Sequence, residues 1–336
     1  MDKNYARAEH IDWLKGLGII LLIISHTGLA KSTRTDVYIN AFYMPMFFLV
    51  SGYFLHVDRY SLSTFVKKKC KSLVVPYFLW GLFHFALWMA MYKFSITELA
   101  ETPQTMIIGL IWNNNRHLPI AGALWFVSCL FLVSMIAFIL VRVLGIKAYI
   151  VLSCIVGAIG VFYHPFIPWS GDSALAANCF FAVGFWFAVF GEKVRNWISL
   201  KSHGLRFALA IVLLSVYLVV SKINGFTNIR ECNYGNWPLL YYFCALLGIS
   251  ACYLISQVVC ERHLGKPLIW IGKNSMPFLC LNQLCIAIIS RVLAESMISQ
   301  ILQSIATILV ISAFTRIIIH FDTTKKTRVY SALFGR

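Results

Sequence analysis

KGLGIILLIISH, residues 15–26, is an apolar run long enough to begin crossing a bilayer, yet it opens on a lysine and closes on a histidine. An ionisable group at membrane depth is costly and is read by default as functional. Whether this run spans a membrane depends on the chain around it. Of its 336 residues, 60% are hydrophobic and only 12% are charged, about half the charged share of a soluble protein. Hydrophobic runs of about 20 residues recur almost to the end of the chain.

The fold class expected is therefore all-α, a polytopic membrane protein of about ten transmembrane helices. They are placed near 14–30, 38–57, 72–94, 122–144, 147–163, 174–191, 205–222, 238–259, 268–290 and 298–319. Spans and short loops use up the sequence, so residues 1–336 are read as a single domain. The apolar piece TMIIGLIW within 95–121 is too short to span and is expected to be re-entrant or interfacial. An even helix number puts both termini on one side. With that side cytoplasmic, 19 of the 29 basic residues fall in inner loops and tails, as the positive-inside bias requires. The first residues carry acids and precede no small-residue cleavage site, so the first helix is expected to be retained.

The net charge of +16 does not indicate nucleic acid, because the basic residues lie between hydrophobic runs rather than along one helix with stacking aromatics. Most of the ten cysteines lie within the runs and no CxxC pair occurs, so neither a disulfide framework nor a structural zinc site is expected. Walker, dinucleotide, HExxH and GxSxG signatures are absent.

Lys15 and His26 are eleven residues apart, about 16 Å along a helix and within about 20° of the same face. A cation at the cytoplasmic mouth and a histidine three turns deeper suit a long donor with an anionic head and a reactive tip, the shape of acyl-coenzyme A. A neutral imidazole can take the proton of an acceptor hydroxyl as it attacks the thioester. The bland alternatives are a snorkelling Lys15 paired with Asp12 one turn earlier, and a buried histidine bonded to a neighbouring helix.

Other residues carry weaker signals. Pro45 is expected to interrupt the second helix and leave carbonyls facing a cavity, with Ser51-Gly52 allowing close approach. Tyr43 and Met44 are read as packing residues, Tyr43 in the same cavity wall. Trp125 and Phe126 suit either an aromatic belt or the apolar face of a sugar. Arg116 and His117 lie in an outer connection, read as solvated. Lys273, Asn274, Ser275, Asn282 and Gln283 make the ninth helix polar, and His84 reads as structural.

Five segments in order carry a resemblance: IDWLKGLGIILLIISH (Ile11–His26), FYMPMFFLVSGYF (Phe42–Phe54), KKKCKSLVVPY (Lys67–Tyr77), ALWFVSCLF around Trp125, and IGKNSMPFLCLNQ (Ile271–Gln283). Through them the chain resembles the acyltransferase-3 family of integral-membrane O-acyltransferases, closest to its fucose 4-O-acetylase-like branch. The resemblance implies His26 as catalytic base, Lys15 as a donor-side cation, and Lys67, Lys68, Lys69 and Lys71 as holders of the coenzyme A phosphates. It departs from the family at Lys15, where many members have arginine, so a bidentate contact becomes a point charge. Asn282 stands where a histidine often occurs, which leaves it the role of binding an acceptor hydroxyl.

The expected function is transfer of an acetyl (acyl) group from cytoplasmic acyl-coenzyme A to a hydroxyl of a cell-envelope or lipid-linked glycan. The site would be a cavity among the first, second, third and ninth helices. No bound cofactor is expected; acetyl-coenzyme A is a co-substrate. Expected partners are the glycan acceptor, membrane lipids, and a second copy of the chain or a glycan-assembly protein. The expected location is a bacterial inner membrane. The alternative from another class is a transporter or flippase for a lipid-linked sugar or acyl carrier, and a sensory or scaffolding role has little support.

Overall fold

The computed structural model describes residues 9–96, 98, 102–112, 122–293, 296–325 and 328–335. Arg116 and His117 lie outside the described residues. In chain order the helices are α1 (Glu9–His26), α2 (Leu29–Ser32), α3 (Asp36–Asn40), α4 (Tyr43–Tyr53), α5 (Leu62–Lys69), α6 (Val75–Lys93), α7 (Pro103–Ile111), α8 (Trp125–Leu144) and α9 (Ile146–Gly160). There follow α10 (Gly171–Phe190), α11 (Glu192–Ser199), α12 (His203–Asn224), α13 (Pro238–Glu261), α14 (Lys266–Lys273), α15 (Ser275–Ile289), α16 (Met297–Lys325) and α17 (Val329–Phe334). Among the described residues there is no strand, only an isolated antiparallel bridge between Asn228 and Asn233.

Each segment expected to span holds a helix, but among the described residues six helical stretches are long and apolar enough to cross a membrane by length and composition: Leu62–Lys93, Gly122–Leu144, Gly171–Phe190, His203–Asn224, Pro238–Glu261 and Met297–Thr324. The shorter pieces have local causes. The first helix ends at His26 rather than at residue 30, because Thr27 turns and Gly28 takes a left-handed conformation (φ 79°) before α2. The expected second helix is broken into α3 and α4. Pro45 does not make that break. It is the third residue of α4, where no backbone N–H would have an intrahelical partner, so its ring costs no hydrogen bond. The first bond of α4 runs from Met46 N–H to Phe42 C=O at 2.9 Å.

The lysine cluster, expected in a loop, is helical. Ser61 caps α5 by accepting from the Thr64 N–H at 3.3 Å, and Cys70–Val74 continues it as a π-helical turn into α6. Pro76 explains the turn: it cannot donate to the Ser72 carbonyl four residues back, and the wider π turn relieves the clash of its ring there. The ninth expected helix is interrupted at Asn274, which separates α14 from α15.

Contacts divide the chain into two compact units: Met1–Leu55 with Ile150–Phe162 and Ala176–Ser275, and His56–Tyr149 with Tyr163–Leu175 and Met276–Arg336. In the first unit, glycines bring backbones together. A methyl group on Gly16 would overlap the Leu268 carbonyl, and one on Gly272 would overlap the Asp12 carbonyl, so α1 and α14 are in backbone contact at both glycines. Gly52 against Phe181 and Gly184 against Leu49 join α4 to α10 in the same way. In the second unit, Phe65 of α5 stacks on Phe138 of α8 with ring centroids 4.0 Å apart, and α17 covers α6 by stacking Phe334 on Trp80. The Trp80 Nε1–H donates to the Leu333 carbonyl at 2.9 Å.

Candidate functional site

The first helix carries both groups singled out in its sequence. Lys15 Nζ lies 2.7 Å from Asp12 Oδ1, one turn away; the Asp12 side chain is 1% exposed and that of Lys15 is 17% exposed. The pairing open at the level of sequence is thus made. Since α1 is unbroken from Glu9 to His26, the helical geometry that relates Lys15 to His26 holds.

His26 is the last residue of α1 and is half-buried. Beside it, the Ser25 hydroxyl donates to Asn40 Oδ1 at 3.2 Å and is also hydrogen-bonded to Tyr43. Tyr43 is buried, as a packing residue should be, and its hydroxyl lies in the field of Arg230. Arg230 belongs to a tightly built loop. Asn228 Oδ1 accepts from the Arg230 N–H at 3.1 Å, and Asn224 ties the loop to α12 through the Tyr234 carbonyl and the Trp237 N–H. Pro45 is buried and Ser51 half-buried on α4. Nothing in the sequence marked Arg230 apart from other loop cations, since its relation to Tyr43 exists only in the folded unit.

At the other end of α1, α14 contributes Lys266, Ile269, Trp270 and Lys273 to a cleft of about 270 Å³ that Glu9, His263 and Leu264 complete. Lys266 and Lys273, seven residues and about two helical turns apart, share this concavity.

In the second unit, the lysine cluster is a folded basic corner. Lys67, Lys68 and Lys71 are exposed and Lys69 is half-buried. Lys68 donates to the Tyr60 hydroxyl at 2.8 Å, and Arg142 of α8 donates to the Tyr60 carbonyl at 2.7 Å. The Lys68 hydrogen bond lowers the Tyr60 phenol below its ordinary value. Arg142 also lies over the Phe138 ring, 5.0 Å from its centroid, so the aromatic stack that seats α5 also positions a further cation.

Two polar side chains of α15, Asn282 and Gln283, are hydrogen-bonded within the protein. Asn282, fully buried, donates its amide to the Phe278 and Leu279 carbonyls of its own helix at 2.8 and 2.7 Å. Gln283 Oε1 accepts from the Ala123 N–H at 3.4 Å, at the entry to α8. His84 Nε2 bonds the Cys280 carbonyl at 2.9 Å, which fits its structural reading. Trp125 and Phe126 are 5% and 8% exposed and meet edge to face, so they are buried side chains and not an aromatic belt at a membrane surface.

The residues expected to act together fall in different units: Lys15, His26, Tyr43, Pro45 and Ser51 in the first, and Lys67, Lys68, Lys69, Lys71, Trp125, Asn282 and Gln283 in the second. No curated protein and no solved structure matches the chain. A family of acyltransferase domains (acyltransferase 3) matches residues 9–319, a span that contains all of these residues. On that match, the chain belongs to the acyltransferase-3 family of integral-membrane acyltransferases.

Proposed function

We propose that the protein transfers an acetyl group from cytoplasmic acetyl-coenzyme A to a hydroxyl of a lipid-linked or cell-envelope glycan, with His26 as general base. The observation that carries this reading is the unbroken first helix, with an ion-paired lysine eleven residues before a histidine at its end, in a chain of the acyltransferase-3 family. The fucose 4-O-acetylase-like branch and the bacterial inner membrane are part of the same proposal, with both termini cytoplasmic.

The chemistry assigned to each residue follows from its place. The carboxyl end of a helix carries partial negative charge, which stabilises the imidazolium formed when His26 takes the acceptor's proton. The oxygen so activated attacks the thioester carbonyl, and the coenzyme A thiolate leaves and takes the proton back from the His26 imidazolium, which restores the neutral base. Lys15 enters as a cation that Asp12 holds in place; a coenzyme A phosphate would compete for it. Lys67, Lys68 and Lys71 offer exposed ammonium groups on a rigid helical turn, suited to phosphate as point charges. Asn282 and Gln283 serve the acceptor only if their bonds rearrange, and Trp125 serves it from a buried position.

The test is transfer of radiolabelled acetyl from acetyl-coenzyme A to a panel of free and lipid-linked sugars by the purified protein in nanodiscs. Labelled sugar ester is the expected product. Absence of any donor binding and of any thioester loss across acyl-coenzyme A donors would overturn the reading.

A further inference from the structure

A cleft of about 440 Å³ lies in the first unit, walled by α1, α4 and α10 to α13. Its size falls in the range of small-molecule sites. Tyr53, Tyr253, Ser250 and the indole N–H groups of Trp186 and Trp197 are the side-chain polar groups of a wall otherwise aliphatic and aromatic. An apolar space of this kind does not hold ordered water, which needs two to four polar partners. It is a place for hydrocarbon.

The rim says which hydrocarbon. Helix α11 turns Val194, Trp197 and Ile198 into the cleft, at the spacing of one helical face, while Lys193 and Arg195 lie elsewhere on it. Such a helix, with tryptophan on its apolar face and cations flanking that face, lies in the plane of a membrane interface. Lys201 Nζ sits 4.7 Å from the centroid of the Trp197 ring and the Arg195 guanidinium 5.4 Å from that of Phe187, and both rings line the cleft. Arg195 also donates to the Phe187 and Ala188 carbonyls at the end of α10, which fixes its guanidinium at the rim. Glu192 is the one acid among the residues of α11, against Lys193 and Arg195.

We propose that this cleft binds one acyl chain of an anionic glycerophospholipid, with its phosphate held by Arg195 and Lys201. The site is separate from the acetyl-transfer chemistry and stands whether or not that reading holds. Its walls include Ile11 and Leu14, so a bound chain would also brace the segment of α1 that carries the Asp12–Lys15 pair.

The experiment uses the full chain in nanodiscs doped with phosphatidylglycerol or phosphatidylcholine brominated along the acyl chain. The signal is the fluorescence quenching lost on Trp197→Phe, which isolates this residue from the other tryptophans. Brominated phosphatidylglycerol should quench it at lower mole fraction than brominated phosphatidylcholine. Lys201→Gln should reduce that preference by about fivefold, the effect of one surface cation on an anionic lipid, and Lys201→Arg should restore it. Filling the cleft with Ser250→Leu and Leu213→Phe should reduce the quenching by both lipids. Equal quenching by the two lipids in the wild type, or undiminished quenching in a filled variant of unchanged helicity, overturns the proposal. So would displacement of the quencher by long-chain acyl-coenzyme A and not by unlabelled phosphatidylglycerol, which would assign the cleft to a donor instead.

Discussion

Lys15 and Asp12 are the residues at which binding and folding are most easily confused. Asp12 is almost wholly buried, so removing the lysine leaves a carboxylate without its 2.7 Å partner. Breaking a fully buried pair costs about 3–5 kcal/mol, and the partial exposure of Lys15 reduces this to about 1–3 kcal/mol. We predict that Lys15→Ala lowers thermal stability and weakens acetyl-coenzyme A binding. The double variant Asp12→Ala/Lys15→Ala should recover much of the stability and none of the binding. Recovery of both would make the pair structural alone. Pro45 gives a second prediction. At the third position of α4 its substitution by alanine should change stability by no more than about 1 kcal/mol, measured by thermal unfolding in detergent. A large loss would restore the interrupting role expected from the sequence. The Lys15–Asp12 pair was legible from three-residue spacing. The place of His26 at a helix end was not, because Thr27-Gly28 is a weak stop signal inside an apolar run, and the first chain turn is made by the backbone of Gly28.

At the scale of elements, two of the segments that carry the family resemblance pack on each other: Gly16 of α1 meets Leu268 and Gly272 of α14 meets Asp12, backbone to side-chain-free backbone. Gly16→Ala and Gly272→Ala should each destabilise the protein by about 1–3 kcal/mol or more, since the atoms in the way belong to main chain and cannot rotate aside. A variant with unchanged unfolding temperature would contradict this packing. The sequence shows both glycines without saying that they face one another, because the contact joins residues more than 250 positions apart. Similarly, KKKCK (Lys67–Lys71) reads as a polar loop by composition. It is helical because α5 has a serine cap and Phe65 to stack on Phe138, and because a π turn accommodates Pro76.

At the scale of the whole molecule, the ten apolar segments of the sequence all hold helices, since length and hydrophobicity decide that much. What stayed hidden is where helices break, at Ala41–Phe42 and at Asn274, and the partition into two units, each assembled from separate stretches of the chain, which depends on non-local packing. Orientation is testable directly. In a Cys232→Ser background, Asn233→Cys should react with a membrane-impermeant thiol reagent added outside intact cells, and Ser202→Cys only after lysis. The reverse pattern would invert the proposed topology and move His26 to the opposite leaflet. The proposed role of His26, at the end of the first helix, as the base of an acyl transfer is tested by measuring acetyl-coenzyme A binding and turnover side by side for wild type and His26→Ala in one nanodisc preparation. Retained donor affinity is expected, with transfer reduced at least about a hundredfold, the contribution of a positioned general base. Transfer at the wild-type rate in the variant would contradict it.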